Sequence, residues 1–297
     1  MSGPASARFS DGRLHLQHGP IDLVIEAWGM RTEVEAAYAQ AERRFQNILP
    51  SLVEELPALR MPIREPYPLL RGVVARRMVV AVWRHRATFV TPMAAVAGAV
   101  ADEMLAALVA GRVLDKALVN DGGDIAFHLP PGATLSVAIA HHPRRPALDA
   151  GVTLDWRDAA RGLATSGWRG RSHSLGIADA VTVFARDAAQ ADAAATLIAN
   201  AVNVEHPAIR SAPARALKED SDLGERAVTV AVGVLPADAV CAALDAGLAA
   251  AAAMGAAGLV ESAYLALQGE VRLLEPPQPR TIPALDCMTQ AHQGRIR

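Results

Sequence analysis

The stretch Asn120-Asp121-Gly122-Gly123-Asp124, set between the apolar runs 117–119 and 125–129, decides how this chain is read. Two adjacent glycines permit positive φ and bare their backbone N–H groups. The plain reading is a hairpin turn between two strands. The functional reading is a backbone cradle for a ligand's ring or phosphate. Two more polar islands follow in the otherwise apolar stretch 116–203: Thr165-Ser166-Gly167, and Asp192-Ala-Ala-Ala-Thr196. Polar groups beside a core are costly unless they are paired or bind something. Three islands with small neighbours therefore point to one assembled site.

Asp192 and Thr196 are four apart on an expected helix and share one face, which Asn200 and Asn203 extend. A carboxylate and a hydroxyl are hard oxygen ligands suited to Mg²⁺ shared with a phosphate; a solvated helix face is the alternative. Thr165-Ser166-Gly167 reads either as a turn or as hydroxyl and amide donors to a nucleotide. His173 lies in Arg169-Gly-Arg-Ser-His-Ser174. It is either a general base or an exposed loop histidine. Arg169 and Arg171 can hold phosphate oxygens or form a plain solvated cluster. The acidic turn Glu219-Asp-Ser-Asp222-Leu-Gly224 can approach the site from a neighbouring element. His85, His141 and His142 have no partners at metal spacing and read as structural.

Composition narrows the function classes. A chain of 297 residues, 52% hydrophobic, is long enough for a sizeable core. A net charge of −2 provides no basic field for nucleic acid, and 4% aromatics no stacking platform for single strands. Cys241 and Cys287 lack metal spacing and fit a reducing compartment. The N-terminus has no apolar signal core, and the longest apolar stretch, 246–260, reads as too short for a membrane span. These features point to the cytoplasm. The small-residue helix there suits a homodimer or a monomer core equally.

Local patterns give the elements. Runs at 14–16 and 21–25 flank Gly19-Pro20 as a hairpin. Thr32-x-x-Glu35 reads as a capping box opening a helix to about Ile48, with a second piece from Ser51 to Leu59 after Pro50. Arg77–Arg84 reads as a buried strand, and Thr91-Pro92 as cap and first residue of a helix to Ala110. Strands are expected at 117–119, 125–129, 134–140, 180–185 and 227–234. Helices are expected at 188–203 (capped by Asp187), 238–253 and 259–268. Helices mixed with antiparallel strands, without βαβ units, favour α+β. No linker divides the chain, so a single domain over 1–297 is expected, with a polar, mobile tail after Pro276.

Taken in order, the islands resemble the ApbE family of flavin-handling proteins. That family has a helix of pattern Ala-Lys-Gly-Tyr-Ala-Val-Asp, a strand ending in Gly-Gly-(Asp/Asn), a Thr-Ser-Gly turn, a His-Ile-Ile-Asp-Pro-x-Thr-Gly segment and an Ala-Asp-x-x-x-Thr helix. Gly98 and Asp102 fit the first helix, and Leu118 to Asp124 the glycine pair. Thr165-Ser-Gly167, Val181-Thr-Val183 and Ala191 to Thr196 fit the rest, a match over 92–203. Ala97 and Ala99 stand where the family has lysine and tyrosine, and His173-Ser-Leu-Gly-Ile-Ala-Asp179 replaces the Asp-Pro segment. Thr91–Gly98 and Asp179–Val183 are similar to a cytoplasmic branch of the family.

The resemblance implies an ApbE-like fold related to the T-fold enzymes that bind purines and pterins. It implies FAD as ligand or substrate, Mg²⁺, and transfer of FMN to a Thr or Ser of an acceptor protein. It makes Asp192 and Thr196 the metal ligands, with a backbone carbonyl near Val96 as a third. Gly122, Gly123 and Asp124 then line the flavin pocket, Thr165, Ser166 and Gly167 sit by the nucleotide, and His173 matches the catalytic histidine. The alternatives are an enzyme acting on a pterin-like or other heteroaromatic substrate in the same pocket, or a non-catalytic flavin carrier.

Overall fold

A computed structural model describes residues 3–139 and 150–275. The end of the strand expected at Ala140, together with His141, His142, Cys287 and the tail after Pro276, lies outside the described residues. Thirteen strands are described. β1 (Ala5–Arg8), β2 (Leu14–His18), β3 (Ile21–Trp28), β4 (Lys116–Asp121) and β5 (Asp124–His128) run consecutively in one antiparallel sheet. The sheet continues through β8 (Gly162–Ser166), β9 (Ala180–Ala185), β12 (Ser262–Leu267) and β13 (Glu270–Leu274). β6 (Thr134–Ile139) and β7 (Ala150–Asp155) form a separate ribbon, as do β10 (Ile209–Pro213) and β11 (Ala227–Val232). The α+β class expected from the sequence is the class observed.

The helices are α1 (Arg31–Phe45), α2 (Ile48–Leu59), α3 (Val73–Trp83), α4 (Val96–Val109), α5 (Ala188–Ala201), α6 (Ala214–Leu217) and α7 (Ala237–Ala256). Inward residues of β2 to β5 meet α1 to α4 in one apolar cluster around Phe45, Met78 and Met104. Val181 and Val183 of β9 meet α5 and α7 in a second. On the other face, Phe127, Leu163 and Phe184 pack against Leu135 and Leu154 of the β6–β7 ribbon. β9 is thus buried on both faces and is apolar apart from Thr182.

Several local expectations are corrected. The segment 77–84 is not a strand but most of α3. Its buried positions, Val74, Ala75, Met78, Val79 and Val82, recur with helical period. The segment 259–268 is not a helix but holds β12, paired with β9 and β13. α1 starts at Arg31, so Thr32 lies inside it and no side chain caps it. α2 starts at Ile48 and takes Pro50 into its first turn, where a missing N–H costs nothing. Thr91 does not cap its helix: a short 3-10 turn, Pro92–Ala95, intervenes, and the hydroxyl is engaged elsewhere. Residues 92–109, and α7 with 20 residues, are long and apolar enough to cross a membrane by length and composition, unlike the shorter span read from sequence. Here α7 lies against α5, β12 and β13.

Candidate functional site

The site is built on the crossing of α4 and α5. A Cβ on Gly98 would overlap the Ala188 carbonyl oxygen, so glycine sets how closely the helices approach. The two helices exchange carboxylates. Asp102 of α4 accepts from the Ala188 and Ala189 N–H groups at 3.0 and 2.9 Å. Asp192 of α5 accepts from the Gly98 N–H at 3.2 Å, and Ala97 N–H also hydrogen-bonds to it. Each carboxylate meets the unpaired donors of the partner helix's first turn and its positive dipole end. Asp187 adds a cap of its own to α5, accepting from Gln190 N–H at 2.7 Å, as expected from the sequence.

The β4–β5 turn brings a second carboxylate to Asp192. Gly122 and Gly123 take φ of +65° and +117°, and Asn120 accepts from Gly123 N–H at 2.8 Å, closing the hairpin read from the sequence. This turn sets Asp121 opposite Asp124 across the ladder. Asp124 is hydrogen-bonded to Asp192 and accepts from Thr165 N–H at 3.3 Å. Burial, then repulsion from Asp121, raises Asp124 to about 7, and burial, then repulsion from Asp124, pushes Asp192 well above the ordinary carboxylate range. Burial likewise raises Asp121, 5% exposed, to about 7. Arg171 is the cation that draws Asp121 and Asp124 back down.

Asp124 and Asp192 open onto a cavity of about 280 Å³, whose lining also includes Thr196, His173, Arg171 and Asn200. The apolar wall comes from Phe89, Met93, Val96 and Leu197. The outer wall is the acidic turn: Asp220, Ser221, Asp222 and Leu223 line the same cavity. Asp220 accepts from Arg60 Nη2 at 2.6 Å, and Asp222 from the buried hydroxyl of Thr91. The Arg226 guanidinium lies 3.4 Å over the Phe89 ring. Ala214 N–H to Arg226 O and Arg215 N–H to Gly224 O, both 2.9 Å, close the turn into a compact loop.

The residues singled out from sequence divide. Asp124, His173, Asp192 and Thr196 line one cavity. Gly122 and Gly123 line a shallower depression beside it, with Asp22, Val24, Asn120 and Arg171. Thr165, Ser166 and Gly167 line neither. Thr165 pairs its hydroxyl with Thr182 at 2.8 Å and orients Asp124 through its N–H. Gly167 sits against the Asp179 carbonyl, where a Cβ would be 2.5 Å from the oxygen. Asn200 does not simply extend a polar stripe; its Oδ1 accepts from Leu175 N–H at 2.9 Å and Ser174 Oγ at 3.2 Å, fixing the strand of chain that carries His173. Asn203 lies outside the cavity and donates to Leu175 O at 3.0 Å.

A family model described as AbpE bacteria matches residues 6–273. The chain belongs to the AbpE bacteria family. Among curated relatives, this AbpE bacteria chain is 35% identical over 155 residues to a UPF0280 protein of Methanococcoides burtonii, covering 50% of the chain and 61% of the relative. It is 37% identical over 172 residues to a UPF0280 protein of Methanothermobacter thermautotrophicus, covering 57% of the chain and 64% of the relative. Each match thus spans less than two thirds of the relative's own length. The solved flavinyl transferase ApbE of Pseudomonas stutzeri, apo form, aligns over 92% of this chain and 94% of its own at 15% identity, TM-score 0.46. The apbe protein of Thermotoga maritima aligns over 91% and 96% at 13% identity, TM-score 0.44.

Sequence reasoning missed Asp121 as part of the acidic row, Arg60 as an anchor of the outer wall, and Lys218 and Phe89 as lining. Alternation along 116–121 points Asp121 the same way as the buried Ala117 and Val119, which is the signal that finds it. Arg60 offers no such signal, because its partner Asp220 is 160 residues away. Among the described residues, no three His, Cys, Asp or Glu side chains converge as a metal cage. The inner acceptors of the cavity are Asp124, Asp192 and the Thr196 hydroxyl, and Asp220 and Asp222 stand on its outer wall.

Proposed function

We propose that the chain is a cytoplasmic, Mg²⁺-assisted flavin-nucleotide protein of one domain that takes FAD and transfers FMN to an acceptor protein. The observation that carries this reading is the shared cavity of Asp124, Asp192, Thr196 and His173. Family membership supports it, because the resemblance read from the sequence implies FAD, Mg²⁺ and the roles of these positions. Two carboxylates hydrogen-bonded to each other in a part-buried wall fit a hard divalent cation, which would offset both their burial and the negative charge crowded there with Asp121. Asp192 and Thr196 would hold that cation, with Asp124 beside them. The cation would supply charge neutralisation at the pyrophosphate.

The chain's own groups do the rest. The apolar wall of Phe89, Met93 and Leu197 buries a ring and excludes water. Gly122 and Gly123 offer backbone beside the cavity, and the Thr165 N–H, at the start of the Thr165-Ser166-Gly167 stretch, holds Asp124 in place. His173 takes the proton from the acceptor hydroxyl as its oxygen bonds to phosphorus. The phosphorus–oxygen bond to AMP breaks, and AMP leaves with the electron pair.

A second reading is favoured by the cavity's size. At about 280 Å³ it lies at the small end of ligand sites, and it suits a pterin-like or other heteroaromatic substrate. Titrating the purified protein with FAD, with and without Mg²⁺, and following absorbance and AMP release separates these readings. Mg²⁺-dependent binding with AMP release is the expected result. Tight binding without turnover makes the protein a flavin carrier. No binding at high micromolar FAD rejects the flavin reading and leaves the smaller heteroaromatic.

A further inference from the structure

Three cationic side chains line the cavity besides His173: Arg60, Arg171 and Lys218. Arg60 is paired with Asp220 at 2.6 Å, and Lys218 faces the same carboxylate at 3.9 Å. Arg171 forms no hydrogen bond or ion pair among the described residues. Its neighbour in sequence, Arg169, is committed elsewhere: it pairs with Asp179 at 3.1 Å and lies 4.3 Å over the Trp168 ring. The two arginines that look alike in the sequence thus differ. One is a structural strut, and the other is an exposed guanidinium at the mouth of the cavity.

Arg171 is also given a built place. It borders both the cavity and the shallower depression of Asn120, Gly122 and Gly123. Its Nη2 occupies the space where a side chain at position 122 would begin, so Gly122, at φ +65°, serves as its seat. It acts on Asp121 and Asp124 through space without pairing with either. A planar, always charged fork with free donors beside a site floored by carboxylates is suited to phosphate oxygens.

Resting on the flavin-nucleotide reading of the cavity, we infer that Arg171 is the specificity-determining residue that selects ligands bearing a phosphate over the same ring without one. The chemistry recognised is a phosphate mono- or diester carried on a heteroaromatic ligand. Arg60 and Lys218 do not serve, because Asp220 already holds them.

The test is a fluorescence titration of the full chain with riboflavin and with FMN in the presence of Mg²⁺, alongside calorimetric titration with inorganic pyrophosphate. The wild type is expected to prefer FMN over riboflavin by roughly tenfold or more, the size of a charge-assisted contact. Arg171→Ala should collapse that preference by weakening FMN alone, and Arg171→Lys should restore part of it. Gly122→Ala keeps the charge but removes its seat, and should narrow the preference for FMN over riboflavin. Equal weakening of both ligands, or a wild type without preference, overturns the inference and leaves the flavin reading standing. If neither flavin binds, the flavin reading falls. Pyrophosphate then decides: binding lost in Arg171→Ala upholds a phosphate site, and identical binding overturns it.

Discussion

The two ends of the α4–α5 crossing are built alike and face different surroundings. At one end Asp102 caps α5, and at the other Asp192 caps α4. Asp102 has Arg77 and Asp187 for charged neighbours and lines none of the described cavities. Asp192 faces Asp124 and Asp121 and opens to the cavity. Capping a helix is a complete job for a carboxylate, and at Asp102 it accounts for the residue. At Asp192 the same job is done while the group is pressed against a second acid, which no folding requirement explains. What separates the ends is the β4–β5 turn, which carries Asp121 and Asp124 to one of them only.

The sharpest way to break the comparison is Asp192→Ala against Asp102→Ala. In the proposed function Asp192→Ala abolishes Mg²⁺-dependent FAD binding and AMP release, measured by absorbance titration and product assay. Full activity with an unchanged Mg²⁺ requirement would sink the assignment. Its stability should change little, because losing a cap is offset by relieving repulsion with Asp124. Gly98→Ala strikes the crossing itself. Its methyl would meet backbone rather than a yielding side chain. We expect about 2–3 kcal/mol of lost stability in urea, outweighing the roughly 1 kcal/mol gained in helix propensity. An unchanged urea midpoint would show that the helices separate freely.

Asp102→Ala should act on stability alone. It leaves the Ala188 and Ala189 N–H groups without their acceptor, at a cost of about 2 kcal/mol. Flavin affinity in the surviving folded protein should match the wild type. A selective loss of Mg²⁺ response in this variant would erase the functional difference between the two ends.

The comparison also marks how far the sequence could be read. β9 was legible to the residue, because its buried run 180–185 is bounded by a cap at Asp187. The β4–β5 hairpin was legible from two glycines that must take positive φ. α3 was misread because Met-Val-Val-Ala-Val looks like a buried strand, and only the packing of Val74, Met78 and Val82 arbitrates its period. β12 was misread for the converse reason: buried on both faces, it shows no alternation. In the site, spacing placed Asp192 and Thr196 on one face. It could not tell that Asn200 and Thr165 work as struts, because their partners Leu175 and Asp124 lie on other elements. The acidic turn was recognised as able to approach, while its anchors, Arg60 and Thr91, are long-range contacts without local signature.

The finest distinction between the ends is their response to pH. Burial, then repulsion from Asp187, raises the Asp102 carboxyl from 3.8 to about 6. The folded chain therefore holds this proton more tightly than the unfolded chain does. The stabilisation that follows is complete below the unfolded value and disappears as pH rises through the folded one. Between pH 5 and pH 7 the loss from this group alone is about 1.4 kcal/mol. Asp102→Asn has no proton to release there. Asp121 and Asp124 titrate in the same region but are common to both proteins, so they cancel in the difference. Urea midpoints taken from pH 5 to 7 should therefore show the wild type falling relative to Asp102→Asn by about that amount. Curves that stay parallel would mean Asp102 is already ionised at pH 5, satisfied by its two backbone donors. The capping bonds, rather than burial, would then govern the closed end of the helix pair.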